Sequence, residues 1–148
     1  MIENVHITSF QRSFGLRMPL LSVAMYQPQG YNFPRLDWAL IGNPDGSDWI
    51  RPRNFIGNHN PLQDYREALW ARYDSRLAVA TSWAEYIAAD YYSVAFCCWC
   101  PHDRAAQRQM GEHGSFVCHT DVLGEWMESR LGIRVWYDSE RRHMKAIG

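Results

Sequence analysis

Four cysteines and one histidine are the side chains with the most evident chemistry in this 148-residue chain. Cys97, Cys98 and Cys100 form a cluster, and Cys118 is followed directly by His119. A disulfide framework spreads its cysteines along a chain to join distant loops, whereas these all lie between residues 97 and 118. The clustering therefore favours a metal site or a reactive thiol in a reducing compartment.

A reactive thiol is favoured by the position of Cys118 at the start of a predicted helix. Free backbone N–H groups and the helix dipole stabilise negative charge there, so the pKa of the Cys118 thiol should fall. His119 could transfer a proton or bind an anion. On this interpretation Cys118 and His119 are catalytic residues. The residues that would line the ligand pocket are Cys98, Cys100 and Thr120.

Two other interpretations of the cluster stay open. Three thiolates and one imidazole are an acceptable zinc set, and its ligands would be Cys98, Cys100, Cys118 and His119. The spacing is poor, because structural zinc sites usually use C-x2-C pairs and adjacent residues rarely point at one metal. We therefore expect no metal and no other cofactor. Alternatively, the cysteines are small buried hydrophobic residues, a role that strand alternation assigns to Cys97.

A second set of candidate ligand-binding residues lies in a polar segment from residue 31 to residue 60. Loops of this length inside a small domain are often functional, although a poorly ordered surface loop is the alternative. Arg51 and Arg53 lie in it, and the planar guanidinium group recognises phosphates and carboxylates. Fourteen of the 15 basic residues are Arg, a bias that fits such recognition but also fits a GC-rich genome.

The elements that position these residues alternate between strands and helices. Apolar, β-branched segments predict strands at residues 5–10, 20–25, 91–98 and 133–137. Such an alternation predicts an α/β fold with a mostly parallel sheet flanked by helices. We expect a single domain over residues 1–148, with a loosely held tail at about residues 138–148. Ligands of open α/β sheets bind beyond the carboxyl ends of the strands, and we expect the cysteine–histidine residues to meet there.

The first predicted helix begins at Asn60, where Gln63 completes a capping box. Its expected core stripe consists of Leu62, Tyr65, Leu69, Tyr73 and Leu77. Three arginines lie off this stripe and are expected to be solvated: Arg66, Arg72 and Arg76.

Two further helices are predicted in the second half of the chain. A capping box at Ser82 predicts a short helix as far as Ala89. Thr120 is the expected N-cap of the last helix, and Gly132 fits the left-handed position after its end. The expected core stripe of that helix is Val122, Leu123, Trp126, Met127 and Leu131.

The segment Phe116-Val117-Cys118-His119-Thr120 resembles a motif of a widespread bacterial and phage family, a domain of unknown function. In that family an apolar strand ends in a Cys-aromatic-Glu-like turn, and Phe-Cys-His-Arg opens a helix. Residues 21–24, 28–30 and 64–73 are also similar to the family's N-terminal half. Thr120 replaces the family's Arg, and its Glu is replaced within residues 98–101. The resemblance implies one α/β domain with a pocket at the Cys–His motif, and it makes a phage accessory or counter-defence role conceivable.

Composition excludes several classes of protein. The formal charge of −1 excludes a histone-like polycation and argues against strong non-specific DNA binding. No apolar run approaches the ~20 residues that a membrane span needs. The first ten residues lack the pattern of a signal peptide, so we expect a cytoplasmic protein with no membrane partner.

The resulting hypothesis is a small α/β protein that binds or processes a nucleotide, a nucleoside or a nucleic-acid component. Its partner would be a small anionic or nucleotide-like ligand. The alternative is a non-catalytic binding module with a structural or metal-bound cysteine cluster, which recognises a protein or a nucleic acid. Trp38, Trp49 and Trp99 could anchor such an interface. Its basic patch would consist of Arg51, Arg53, Arg66, Arg72 and Arg76.

Overall fold

A four-stranded sheet forms the centre of the molecule in the computed structural model. The structure describes residues 3–10, 13, 16–24, 34–36, 42, 47–50, 52–55, 57–98 and 119–137, with the backbone alone at 52, 53 and 62. The strands are β1 (Asn4–Ser9), β2 (Leu20–Ser22), β3 (Ser93–Cys98) and β4 (Arg134–Tyr137). They are ordered β2-β3-β1-β4, and each neighbouring pair is parallel. The predicted α/β fold with a mostly parallel sheet is therefore confirmed, with β3 in an interior position.

Three helices of the described residues flank this sheet: α1 (Pro61–Ser75), α2 (Leu77–Ala88) and α3 (His119–Leu131). A 3-10 helix, Pro52–Phe55, precedes them. The crossover from β2 to β3 contains α1 and α2, and the crossover from β3 to β4 contains α3. No helix among the described residues is long and apolar enough to cross a membrane.

Two of the helices, α2 and α3, pack on the same face of the sheet. A Cβ built on Gly124 of α3 would lie 3.1 Å from Val135 Cγ1 and 3.5 Å from Ile7 Cδ1, so α3 approaches β4 and β1 closely. Trp83 of α2 packs on Phe96 of β3, with ring centroids 5.7 Å apart. Ile7 and Phe96 are register partners in parallel strands, and their side chains therefore share a face. Hence α2 and α3 cover the same side.

The start of α1 differs from its predicted capping box. Pro61 occupies the first turn as expected, but the Asn60 side chain makes no capping hydrogen bond. The Asn60 carbonyl accepts the Asp64 N–H at 3.0 Å, while Gln63 Nε2 donates to Glu67 Oε1 at 2.8 Å. The predicted capping box was therefore wrong, because Gln63 pairs along the helix surface instead.

The core stripe of α1 is confirmed at Tyr65, Leu69 and Tyr73, which are all buried. Leu77 is 41% exposed and does not belong to that stripe. The reason is a break at Arg76, which lies outside both helices, so that Leu77 begins α2 in a new direction. The described part of Leu62 is its backbone alone.

The second helix also corrects its prediction. It begins at Leu77, five residues before the capping box at Ser82, and Ser82 is an exposed residue of its interior. Residues 77–80 are Leu, Ala, Val and Ala, which have no helix breaker among them. Burial of Ala80 and Ala84 at a spacing of four holds the helix on the core.

The interface between α1 and α3 combines a buried aromatic pair with charged contacts at its rim. Tyr73 and Trp126 pack with ring centroids 5.6 Å apart. Trp126 Nε1 donates to Asp74 Oδ1 at 2.8 Å, and Arg130 Nε donates to the same atom at 3.0 Å. These contacts, led by Arg130, hold the pKa of Asp74 below its usual range. Four residues of the predicted core stripe are buried, namely Val122, Leu123, Trp126 and Met127, whereas the fifth, Leu131, is only partly buried.

The other end of the same interface carries a carboxyl group with the opposite shift. Arg66 donates to Glu125 Oε2 and forms an ion pair with it. Burial nevertheless raises the pKa of Glu125, because it outweighs the attraction of Arg66. Arg72 is also largely buried and pairs with Asp48 at 3.3 Å. The prediction that Arg66 and Arg72 are simply solvated was therefore wrong, whereas Arg76 is exposed as expected.

Candidate functional site

The carboxyl ends of the strands and the first turn of α3 meet at one edge of the sheet. β1, β2 and β3 run parallel, so their carboxyl ends lie at this edge. His119 is the first residue of α3, and its Nε2 lies 2.7 Å from the carbonyl oxygen of Val23, which follows β2 directly. This hydrogen bond joins residues that are 96 positions apart. It sets the predicted site residue His119 at the edge where ligands of α/β sheets usually bind.

The imidazole of His119 is also positioned by an aromatic neighbour. Trp49 packs edge-on against it, with ring centroids 5.3 Å apart. Gly42 makes room for the indole: its φ is +126°, and a Cβ there would lie 2.7 Å from Trp49 Nε1. The segment that carries Trp49 is also held at the neighbouring residue, because Asp48 forms an ion pair with Arg72 of α1. The position of His119 thus depends on a glycine in the polar segment that sequence analysis treated as a loop.

Arg35 is a cation at this edge that sequence analysis did not single out. Its Nη1 donates to the carbonyl oxygen of Ala24 at 2.6 Å. Its backbone forms a parallel bridge with Ser22, with the Ser22 N–H bonded to the Pro34 carbonyl at 2.7 Å. Partial burial lowers the pKa of Arg35 from its ordinary value. Because His119 and Arg35 bind the consecutive carbonyls of Val23 and Ala24, they lie at the same strand end.

Several hydroxyl groups are buried near the strand ends. Ser22, Thr8 and Thr120 are each 0% exposed. Ser22 and Thr8 are both register partners of Cys97, so the three form one row across β2, β3 and β1. Within the described part of the chain, the Ser22 hydroxyl has no hydrogen-bond partner. A buried hydroxyl without a partner is unfavourable, and such groups often mark a position where a ligand or water binds.

The cysteines of β3 are both buried. Cys97 is 0% exposed, which agrees with its predicted core position. Cys98 is 4% exposed and belongs to the same hydrophobic core, since β3 is an interior strand. Cys98 is the last residue of β3, and its carbonyl accepts the Phe10 N–H at 3.0 Å. Cys98 therefore lies at the correct edge, while its role as a ligand-binding residue stays a prediction.

The start of α3 corrects the prediction for Thr120. The helix begins at His119, so Thr120 lies within the first turn and is not its N-cap. Asp121, also in that turn, is 4% exposed and places a carboxylate where the helix dipole stabilises negative charge. At the other end Gly132 has a φ of +66°, which confirms the predicted left-handed position.

The remaining predicted site residues are not placed by the structure. Cys100, Cys118 and Arg51 lie outside the described residues, as do Trp38, Trp99 and the tail from residue 138. Arg53 belongs to the 3-10 helix, and only its backbone is described. Within the described ranges no three His, Cys, Asp or Glu side chains come together. Since two of the four candidate zinc ligands are not described, the expectation of no metal stays a prediction.

The basic patch of the binding-module hypothesis is weakened by pairing. Two of its five arginines have acidic partners, Arg66 with Glu125 and Arg72 with Asp48. An arginine that already forms an ion pair within the chain is less effective at neutralising a backbone phosphate.

Comparison with known proteins gives no relative for this arrangement. No protein-family model matches the chain, and no curated protein or solved structure is significantly similar to it. The resemblance to the bacterial and phage family therefore stays a prediction from the motif. The site must be interpreted from its own geometry.

Proposed function

We propose that the protein binds a small anionic molecule of the nucleotide class at the carboxyl edge of its sheet. The edge site, as we define it, consists of Ser22, Arg35, Trp49, His119 and Thr120. The observation that carries the proposal is the hydrogen bond between His119 Nε2 and the Val23 carbonyl, at 2.7 Å. It brings the first turn of α3 to the strand end that also holds Arg35.

The charges around the edge site support an anion. Backbone N–H groups of a first helical turn have no partners within the helix and favour negative charge. Arg35 adds a partly buried guanidinium, whose pairing with an anion is stronger than at a solvated surface. Asp121 already places a carboxylate in the same turn. The anionic group of the ligand would therefore bind through Arg35 as well as through the helix end. Because His119 Nε2 already donates to the Val23 carbonyl, His119 would bind the anion through Nδ1–H of its protonated form.

Two neutral groups support a nucleotide over a bare inorganic anion. Trp49 is half-buried, and an indole face beside an anion site is suited to stacking on a base. The Ser22 hydroxyl is buried and has no partner among the described residues. Its side chain alternates with that of Leu21 and therefore lies on the sheet face opposite α3, where a ligand hydroxyl or base edge that reaches past the strand end could complete its hydrogen bonding. A mononucleotide offers the phosphate, the sugar hydroxyls and the base in one molecule.

Binding can be tested by calorimetric titration of the full chain with the four ribonucleoside monophosphates, adenosine and inorganic phosphate. We expect at least one monophosphate to bind saturably and more tightly than adenosine or phosphate alone. His119→Phe and Arg35→Gln should each weaken that binding by about tenfold or more, the range of a lost charge-assisted hydrogen bond. His59→Phe is the matched control, because His59 is exposed and outside the edge site. Absence of binding in the whole panel, or equal binding by the His119 and Arg35 variants, would overturn the proposal.

Chemistry on the bound molecule is a further part of the proposal, carried by the pair Cys118 and His119. In the sequence Cys118 directly precedes His119, the first residue of α3, and a helix N-terminus stabilises a thiolate. In iodoacetamide labelling from pH 5 to pH 9, with mass spectrometry of each cysteine, Cys118 should react first. The buried Cys97 and Cys98 serve as internal controls and should react only after unfolding. If Cys118 is labelled only after denaturation, the proposed thiol chemistry is wrong, and the proposal of ligand binding is unaffected.

A further inference from the structure

The outer face of α2 is exposed and carries few charges. The helix has 12 residues, of which Glu85 is the only charged one. Ala80 and Ala84 are buried against the core, whereas Tyr86 is 77% exposed. A shallow groove runs along this outer side and is lined by Ala78, Val79, Ser82, Trp83 and Tyr86. Tyr86 is the large aromatic group of this face, and aromatic residues are enriched at protein interfaces.

The exposed residues of α2 form one ridge that suits another helix. Ala78, Ser82 and Tyr86 are spaced four residues apart and therefore lie along a single i, i+4 row. The small side chains of Ala78 and Ser82 permit close approach of a second helix. Tyr86 projects beside them as a large aromatic group. Tyr86 therefore projects at the carboxyl end of this ridge, and Ala78 leaves a shallow depression at its amino end.

The charges at the two ends of α2 are complementary to each other. Arg76 lies at the amino end, and Glu85 and Asp90 lie at the carboxyl end, and all three are exposed. Among the described residues none of these three forms an ion pair, whereas Arg66, Arg72 and Arg130 all do. A basic end and an acidic end, each unpaired within the chain, fit an antiparallel copy of the same helix.

We propose that this surface, the α2 face (Ala78, Ser82, Glu85 and Tyr86), binds a second copy of the chain in a two-fold dimer. With the axis at Ser82, Tyr86 of each copy packs over Ala78 of the other. Arg76 of each copy then lies between the positions of Glu85 and Asp90 in the second copy. Every contact occurs twice, which is the requirement for an interface between identical surfaces.

The size of the α2 face sets the strength of this dimer. A pair of short helices buries less than the roughly 1,600 Å² of a standard stable interface, so the dimer is expected to dissociate on dilution. Antiparallel packing also sets the helix dipoles in the favourable direction. The proposal is independent of the edge site, which lies at the ends of the strands.

The test is sedimentation velocity of the full chain from low to high micromolar concentration. We expect a reversible monomer–dimer equilibrium. Ser82→Arg places two like charges at the two-fold axis and should raise the dimer dissociation constant by about tenfold or more. Ser129→Arg is the matched control, because Ser129 is an exposed serine on α3, and it should leave the equilibrium unchanged. Circular dichroism of each variant checks that the fold is intact.

A charge exchange gives a second, independent readout. Arg76→Glu should weaken the dimer, and adding Glu85→Arg and Asp90→Arg to it should restore the dimer, because both ends are then reversed together. A chain that stays monomeric at every concentration would overturn the proposal. So would a dimer that Ser82→Arg leaves intact, or one that Ser129→Arg dissociates equally. Loss of the dimer in the triple variant would show that the ends are not paired as proposed.

Discussion

The interface between α1 and α3 and the carboxyl edge of the sheet are both buried, but they are built in different ways. At the interface Tyr73 and Trp126 lie against each other, and the polar atoms sit at the rim, where Asp74 and Arg130 satisfy them. At the edge the buried groups are themselves polar, and one of them, the Ser22 hydroxyl, has no partner within the described residues. The polar groups of the interface are thus satisfied without a ligand, whereas the edge has a buried hydroxyl that is not hydrogen-bonded in the described part of the chain.

The largest effect on stability is expected at Trp126, which is completely buried. Trp126→Ala should lower the free energy of unfolding by about 3–5 kcal/mol, because it leaves a cavity and removes the hydrogen bond to Asp74. Trp126→Phe keeps most of the packing and should lower it by less. Urea denaturation measures both changes. A loss of under about 1 kcal/mol for the alanine variant would contradict the assignment of the core to this interface.

The next largest effect is expected at Gly42, which connects the polar segment to His119. Gly42→Ala introduces a Cβ at a φ of +126°, 2.7 Å from Trp49 Nε1, and should destabilise the protein by about 1–3 kcal/mol. It should also move Trp49 away from His119, which changes the near-ultraviolet circular dichroism. Gly57→Ala is the control, because a Cβ at Gly57 meets nothing within 4 Å. Equal behaviour of the two variants would show that Trp49 is not held by Gly42.

The two carboxyl groups at the rim of the interface should respond to pH in opposite directions. The pKa of Asp74 is lowered by hydrogen bonds from Arg130 and Trp126, so its stabilisation is present above the unfolded pKa and is lost as pH falls through the folded pKa. Asp74→Asn should therefore be less stable than the parent near neutral pH. This difference should disappear in acid.

Glu125 provides the contrasting case. Burial raises its pKa, so its contribution is favourable below the unfolded pKa and is lost as pH rises through the folded pKa. Glu125→Gln should therefore be more stable than the parent near neutral pH, and its advantage should shrink as pH falls. Thermal denaturation of the parent, Asp74→Asn and Glu125→Gln from acid to neutral pH measures how each stability difference from the parent changes with pH. If the two differences change with pH in the same direction, the two pKa values are not shifted in opposite directions.

The smallest effect on stability is expected at Ser22. Removing a buried hydroxyl without a partner relieves a desolvation penalty, so Ser22→Ala should leave stability unchanged or raise it by up to about 1–2 kcal/mol. The same variant should bind the mononucleotide less tightly if the hydroxyl contacts it. Chemical denaturation and calorimetric titration measure these two changes separately. A clear loss of stability without ligand would mean that the hydroxyl is already satisfied in the protein.

The sequence predicts the interface better than the edge for a physical reason. The burial of Tyr65, Leu69 and Tyr73 follows from helical spacing within 15 residues, a local property. The capping signal at Ser82 was misleading because good helix formers extend α2 backwards to Leu77. Local signals of this kind compete with one another, and packing decides between them.

The edge depends on contacts between distant parts of the chain. His119 could be named from its residue type and from its place before a predicted helix. Its partners Val23 and Trp49 could not, because they lie 96 and 70 positions away and no local pattern joins them. Arg35 was missed for the same reason, since a short extended segment carries little periodicity. Arg72 appeared solvated by its helical position, yet its ion pair with Asp48 buries most of it.

The most direct test of the edge site is a titration followed by ¹H–¹⁵N correlation spectra of the labelled full chain. The titrant is the monophosphate that binds most tightly. We predict progressive shifts of the backbone signals of Val23, Ala24, His119 and Thr120, and of the indole N–H of Trp49. The indole N–H of Trp126 should stay in place, because the α1–α3 interface is complete without a ligand. Shifts confined to α1 and α3 near Trp126, or a saturating ligand that leaves His119 and Val23 unmoved, would contradict the account.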